Sequence, residues 1–447
     1  MTQTALFLSL AQFLTSFGFM LAFLALELGL AWVLLYFRLR ARAGGASPWM
    51  LAYRFWVRVY ALSLILSFAA AIPVLLQLGT LWPDFMEKAG EVVGPLVAAA
   101  VLTAFVFKSS FLGAMLYGQR RLSDAAHTLM VFMVAVGASL TAYWIMALMA
   151  WTQVPIGASL VDGRYQVRSW LTILGGRLAP TLFGLMTVGG LMVAAALMLA
   201  VTAVRTRTRP SDEGDRGVYA TGLRLLLACI LVQGALAADL GRVLMPAQPA
   251  RAAAVVPQWH SGPRADLSVA AWPDAERQAN DWEWGRPIEA PGWLARDPGG
   301  TVRGLDHFSG MTPPVFATYW TLRVALFAGG LLALAALAAW WRGWRLGYEP
   351  DGLRPLGRGT LRLATVLACA IQVAGLAHMF IGAMPYAIYG TVTLRELGAA
   401  APDMGEHAGI TLAYVLVYAA LLLGFYQLLR HITRYGVVPV ARRRGRA

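Results

Sequence analysis

The sequence predicts an all-α polytopic membrane protein of nine transmembrane helices, with its N-terminus outside and its C-terminus in the cytoplasm. Three observations carry that prediction. First, 58% of the 447 residues are hydrophobic and only 13% charged, against about 25% charged in soluble chains. Second, apolar runs of a length that crosses the hydrocarbon core, about 20 residues, recur along the chain. Third, the arginines gather in every other connecting loop. A net charge of +14 in a soluble protein would point to nucleic acid. Here the basic residues sit in short loops, where they read as topology signals, so lipid and not nucleic acid is the expected surroundings.

The runs fall at 12–36, 57–79, 93–118, 127–151, 178–203, 218–239, 316–341, 363–386 and 408–430. In lipid every backbone donor and acceptor must be satisfied internally, which leaves helices or closed barrels, and these runs are too long for barrel strands. Arg38, Arg40, Arg42 and Arg54 follow the first run, Arg120 and Arg121 the third, and Arg205, Arg207, Arg209 and Arg216 the fifth. Arg342, Arg345, Arg354 and Arg358 follow the seventh, and the tail carries Arg434 and 442–446. Placing these loops inside the cell requires an odd number of spans. Met1 to Leu8 has no basic stretch, so no cleaved signal peptide is expected.

The chain divides into 1–241 (six spans), 242–315 (an external segment) and 316–447 (three spans and a basic tail). The external segment holds Trp259, Trp272, Trp282, Trp284 and Trp293 among prolines and glycines. It reads as an ordered element near the membrane interface. Pro73, Pro95, Pro180 and Pro385 are expected to bend or end helices. The small residues of 188–196 permit close helix contact.

Charge inside a spanning helix is costly and calls for a partner or a job. Glu27 in the first span and Lys108 in the third fall at similar depth, so they are expected to be neighbours and to pair. A structural ion pair is the leading reading and a proton path the alternative. Of six histidines only His378 lies well within a span. It could hold haem opposite a methionine such as Met20, or simply bond a neighbouring helix. Asp239, beside Arg242, reads as a surface pair. Cys229 and Cys369 lie in apolar helices, and no Cys-x-x-Cys motif exists. Nothing suggests a phosphate loop, a zinc motif or a nucleophile elbow.

Several local strings, in order, resemble the large subunit (subunit I) of cytochrome bd quinol oxidase. The strings are Gln77-Leu78-Gly79-Thr80-Leu81-Trp82, Trp151-Thr152-Gln153-Val154-Pro155-Ile156-Gly157, Gln248-Pro249-Ala250-Arg251-Ala252-Ala253-Ala254, Tyr319 with Arg323, and Gly382-Ala383-Met384-Pro385-Tyr386. The resemblance runs over roughly residues 8–430. It implies a subunit I-like bundle in a bacterial cytoplasmic membrane, a quinol-binding external loop, and haem b and d. It makes Gln248 and Arg251 candidates for contact with quinone. It makes Arg323 a helix cation of the family's type, with a structural or proton-path role like that of Glu27 and Lys108.

The departures are chemical. By the resemblance, Met20 stands where the family has a histidine ligand, and Ala100 and Lys108 replace glutamates. Leu75 replaces a further glutamate, Ala325 a methionine ligand, and Val256 a loop glutamate. The fifth span, 178–203, has no histidine. Alanine has no lone pair for iron. The resulting expectation is a haem-poor or haem-free chain that supports a separate, haem-bearing subunit I-like partner, with quinone still possible. Alternatives are a catalytic chain with changed ligands at Met20 or His378, a scaffold subunit of another electron-transfer complex, or a transporter.

Overall fold

The computed structural model describes residues 3–41, 48–118, 121–263, 266–285, 288–289, 301–308, 310–345, 347–397 and 404–436. Arg42, Arg120, Trp293, Gly299, Gly300 and the 442–446 tail lie outside the described residues, as does the side chain of His407.

Among the described residues, nine helical segments are long and apolar enough to span a bilayer. They are α1 (Gln3–Arg40), α2 (Pro48–Thr80), the pair α3 (Pro83–Thr103) and α4 (Ser110–Tyr117), and α5 (Asp124–Gln153). After the short α6 (Trp170–Gly175) come α7 (Leu178–Arg205) and α8 (Glu213–Ala247). A short α9 (Pro249–Val255) precedes α10 (Val315–Arg345), α11 (Pro355–Ile381) and α12 (Met404–Tyr435). Most of the helices overrun their apolar runs, since hydropathy marks the hydrocarbon and not the last turn, but α11 ends at Ile381, short of the expected 386, so that Pro385 follows the helix. α8 continues past 241 to Ala247.

The starts are chemically marked. Ser123 accepts from the Ala126 backbone N–H to cap α5, and Asp212 with Asp215 forms a capping box on α8. Pro83, Pro249 and Pro355 open α3, α9 and α11, where a missing N–H costs nothing. Pro73 and Pro95 lie inside helices.

α1 is the axis of the bundle. It packs on α2, α5, α7, α11 and α12, and Leu28, Leu30, Ala31, Leu34 and Phe37 have no exposed surface. α7 is its closest neighbour in backbone terms. A methyl on Gly190 would lie 2.0 Å from the Ala25 carbonyl oxygen, so the small-residue run does allow two backbones to touch. α8, α10 and α12 lie at the periphery and expose leucine, valine and phenylalanine outward.

The end at which α2, α5, α8 and α11 finish carries the small β elements. β1 (Ala158–Val161) and β2 (Arg164–Val167) form a hairpin through Asp162 and Gly163, both at positive φ (49° and 76°), the backbone a two-residue hairpin turn demands. The segment between α8 and α10 contains β3 (Asp266–Leu267) paired with β6 (Ile288–Glu289), and β4 (Ala270–Asp274) paired with β5 (Ala279–Trp284). β7 (Tyr386–Ile388) and β8 (Val392–Thr393) complete the set. Trp272 pairs across the strands with Trp282 and meets Phe316 at the start of α10.

Candidate functional site

Between α3 and α4, residues Ala104–Ser109 form a π-helical turn. Such wide turns re-aim side chains within an otherwise regular helix. Lys108 sits on it, and α5 passes close by because position 137 is glycine. A Cβ there would lie 2.3 Å from that of Phe107. The Lys108 ammonium, 1% exposed, reaches 3.0 Å from Oε1 and 3.3 Å from Oε2 of Glu27, which is wholly buried on α1. Tyr60 donates to Oε1 at 3.4 Å, and the Phe68 ring lies 4.8 Å from the ammonium nitrogen. The structure thus brings Glu27 and Lys108 together, as neighbours in a closed, fully answered pair.

Beside the pair is an apolar cavity of about 330 Å³. Met20, Leu75, Ala100 and Lys108, all singled out in the sequence, line it together. It runs along α1 from Leu10 to Leu24 and along α5 from Thr141 to Gln153. Among the described residues its lining holds no histidine or cysteine. The iron-capable donors are the thioethers of Met20, Met149 and Met384 and the Tyr386 phenol. His378 is not part of that lining, so the structure does not set it opposite Met20 across the cavity. Among the described residues no three His, Cys, Asp or Glu side chains gather to hold a metal.

A second polar cluster lies toward the β-rich end. Arg251 on α9 is fully buried. It donates through Nη2 to Gln153 Oε1 (2.9 Å) and to the Met379 carbonyl (2.8 Å). Gln248 donates to the Gln153 carbonyl (2.7 Å) and Oε1 (3.2 Å). Burial pushes the Arg251 guanidinium down to about 9, which leaves it a cation at neutral pH, and its Nε and Nη1 have no partner. Arg323 on α10 donates to the Val255 carbonyl at 2.8 Å and the Ser268 carbonyl at 3.2 Å, and stacks 4.0 Å from the Tyr319 ring centre. Both cations therefore tie the segment between α8 and α10 to the bundle. His378 places Nδ1 3.1 Å from the Thr318 carbonyl, which makes Nδ1 the protonated nitrogen and leaves Nε2 bare and unpartnered.

Sequence reasoning missed Gln153, the residue that holds Gln248 and Arg251. Its signal was a lone amide ending an apolar run. Asp239 pairs with Arg177 and accepts from Thr181 on α7, and not with the adjacent Arg242. Three residues apart on α8, Asp239 and Arg242 share a face, but Arg177 at the start of α7 takes the carboxylate. His127 is buried with the Met115 carbonyl at 3.2 Å and Tyr53 beside it. Cys229 and Cys369 are both free thiols.

Comparison with known proteins adds identity to this geometry. Residues 8–437 match the family described as cytochrome bd terminal oxidase subunit I. The chain is 22% identical over 408 residues to the cytochrome bd ubiquinol oxidase subunit 1 of Bacillus subtilis, covering 88% of this chain and 86% of that one. It is 26% identical over 280 residues to the cytochrome bd-II ubiquinol oxidase subunit 1 of Escherichia coli, covering 61% of this chain and 54% of the relative. Its fold is similar to that of the bd oxidase from Geobacillus thermodenitrificans, with a TM-score of 0.85, 20% identity, and coverage of 96% and 98%.

Proposed function

Because this chain belongs to the cytochrome bd terminal oxidase subunit I family, we propose that it is a haem-free, non-catalytic component of a bd-type quinol oxidase complex. In that complex it supports a separate haem-bearing subunit I-like chain, which would carry haem b and d. It is a multi-pass protein of the bacterial cytoplasmic membrane. The orientation we assign puts the β-rich end and residues 242–315 outside, as a cover over the bundle.

One observation carries the reading. The positions that the resemblance equates with haem ligation, Met20 and Ala100, line a single cavity in which the remaining charge, Lys108, is occupied by Glu27. Alanine offers no donor, and an ammonium engaged with a carboxylate is not a ligand for iron. α7 contains no histidine, and Ala325 stands where the family's methionine ligand would be. The donor set does not fit the family's haems. The framework that would contact a partner is complete: nine spans, with α8, α10 and α12 exposing apolar faces.

The test is a pyridine haemochrome assay on the complex purified from native membranes, with its chains identified. The expected haem content is fully accounted for by a partner that retains histidine ligands. Replacing Met20 and His378 by alanine leaves the spectrum unchanged. A spectrum that depends on either residue overturns the proposal, and the absence of a histidine-bearing partner assigns the chain to another electron-transfer complex.

A second reading rests on His378. Its protonated Nδ1 is held by a carbonyl and its Nε2 lone pair is unused, the state of a ligating histidine. This favours a catalytic chain with changed ligands, in which Gln248 and Arg251 contact quinone. Both are fully buried, so quinone reaches them only when the external segment moves.

A further inference from the structure

We infer that the 330 Å³ cavity beside Glu27 and Lys108 is a binding site for one acyl chain of a membrane phospholipid, entering sideways between α2 and the π-helical turn. The inference rests on the haem-free reading of this cavity and goes beyond it by assigning an occupant.

Shape is the first argument. The lining follows α1 from Leu10 to Leu24, fourteen residues apart and therefore about 21 Å at about 1.5 Å per residue. One leaflet of hydrocarbon is about 15 Å deep, half of about 30 Å. A long narrow slot of that length suits an extended chain. The volume is more than twice the roughly 150 Å³ apolar cavity that is known to stay dry and take up a benzene ring.

Access is the second. Ile72, Leu75 and Phe105 line the cavity and are also 61%, 38% and 62% exposed. They open its wall toward whatever flanks α2 and α3, and on a spanning helix that is lipid hydrocarbon. Toward the external end the slot meets a wider, more polar chamber of about 910 Å³, sharing Leu10, Met384 and Leu394 with it. Asp306 and Arg395 line that chamber, so a headgroup finds polar company where the chain finds none.

Chemistry is the third. The charged and amide groups at the slot are already engaged, and among the described residues the one buried polar atom of its lining left without a partner is the Trp82 indole nitrogen, at the end away from Lys108. Lys108 is held by Glu27, and Gln153 by Gln248 and Arg251. A ligand with polar substituents along its length would gain nothing there, whereas bare methylene groups lose only their exposure.

The experiment uses the intact complex in mild detergent. A phospholipid bearing a photoreactive diazirine in one acyl chain is incorporated before extraction, and labelled peptides are mapped. Labelling is expected to concentrate on 67–78 and 97–105, well above that on the outward face of α12 at 412–428. Native mass spectrometry is expected to retain about one phospholipid per chain after detergent exchange. In Ala100→Phe that retention falls about tenfold, the change produced by about 1.4 kcal/mol of lost binding. Labelling no stronger than on α12, or retention unchanged in a folded Ala100→Phe, overturns the inference. A retained isoprenoid quinone replaces the acyl chain as occupant and overturns it also. Haem in the cavity, read by the haemochrome spectrum, overturns the haem-free reading as well, so the two failures are distinguishable. If Ala100→Phe does not fold, the labelling map of the unsubstituted chain decides.

Discussion

Two of the buried charge sites of this bundle solve the same problem in opposite ways. At mid-helix, Lys108 meets a carboxylate, Glu27, and the pair is sealed by Tyr60 and Phe68. Near the β-rich end, Arg251 and Arg323 meet amide and carbonyl oxygens of Gln153, Met379, Val255 and Ser268. An ion pair fixes two helices and leaves no net charge. Cations held by neutral oxygens instead keep their charge and fasten a loop. The first site therefore belongs to the bundle, and the second to the junction between the bundle and the segment that links α8 to α10.

That contrast can be broken most forcefully at the pair. Glu27→Gln or Lys108→Met alone strands a buried charge and is expected to cost about 3–5 kcal/mol, read as a lower melting temperature in detergent. The double variant Glu27→Leu with Lys108→Met is expected to melt near or above the parent, since matched removal of a buried pair is often neutral or favourable. A double variant worse than both singles would show that the charges do more than cancel. Gly190→Val, which leaves both charges in place, forces a side chain into the Ala25 backbone and is expected to cost about 1–3 kcal/mol or more.

At the junction, Arg323→Met removes two hydrogen bonds from a charged donor, each worth about 1.5–3 kcal/mol. The expected effect is local. Limited proteolysis within 256–305 quickens, while the thermal transition of the bundle moves less than for the single pair variants. An equal fall of both would erase the distinction drawn between the two sites. The smallest effect is at the surface. The Thr393 hydroxyl, its backbone neighbour and Lys88 hold the Glu396 carboxyl below its ordinary value. A depressed carboxylate stabilises above the unfolded value of 4.5 and loses that contribution as pH falls through its folded value. Glu396→Gln is thus expected to cost less than about 1 kcal/mol near neutral pH, and nothing in acid below both values.

The nine spans and their order are legible because hydrocarbon imposes length and apolarity together. Glu27 and Lys108 are legible as neighbours because charge at matching depth has few places to go. What escapes is whatever hydropathy does not encode. The β1–β2 hairpin goes unpredicted although Asp162-Gly163 is a turn signal, since by hydropathy 151–178 is only a gap between spans. The π-helical turn leaves no compositional trace. The Arg251 cluster depends on Gln153 and Met379, which lie 98 and 128 residues away from it. No local pattern reports such a contact.

The widened turn at Ala104–Ser109 has a consequence for how this helix tolerates insertion and deletion. A π turn is an α-helix carrying one surplus residue, and each α residue turns the chain by about 100°. Excising a single residue there would relax the turn to ordinary pitch while leaving the membrane crossing intact. Because the bulge absorbs its surplus residue locally, Ser110 to Tyr117 would keep their azimuth relative to Pro83–Thr103, and the side chains of the turn itself, Lys108 among them, would be re-aimed. A one-codon deletion would thus act as a rotary switch on the Lys108 ammonium alone, with no loss of apolarity to betray it.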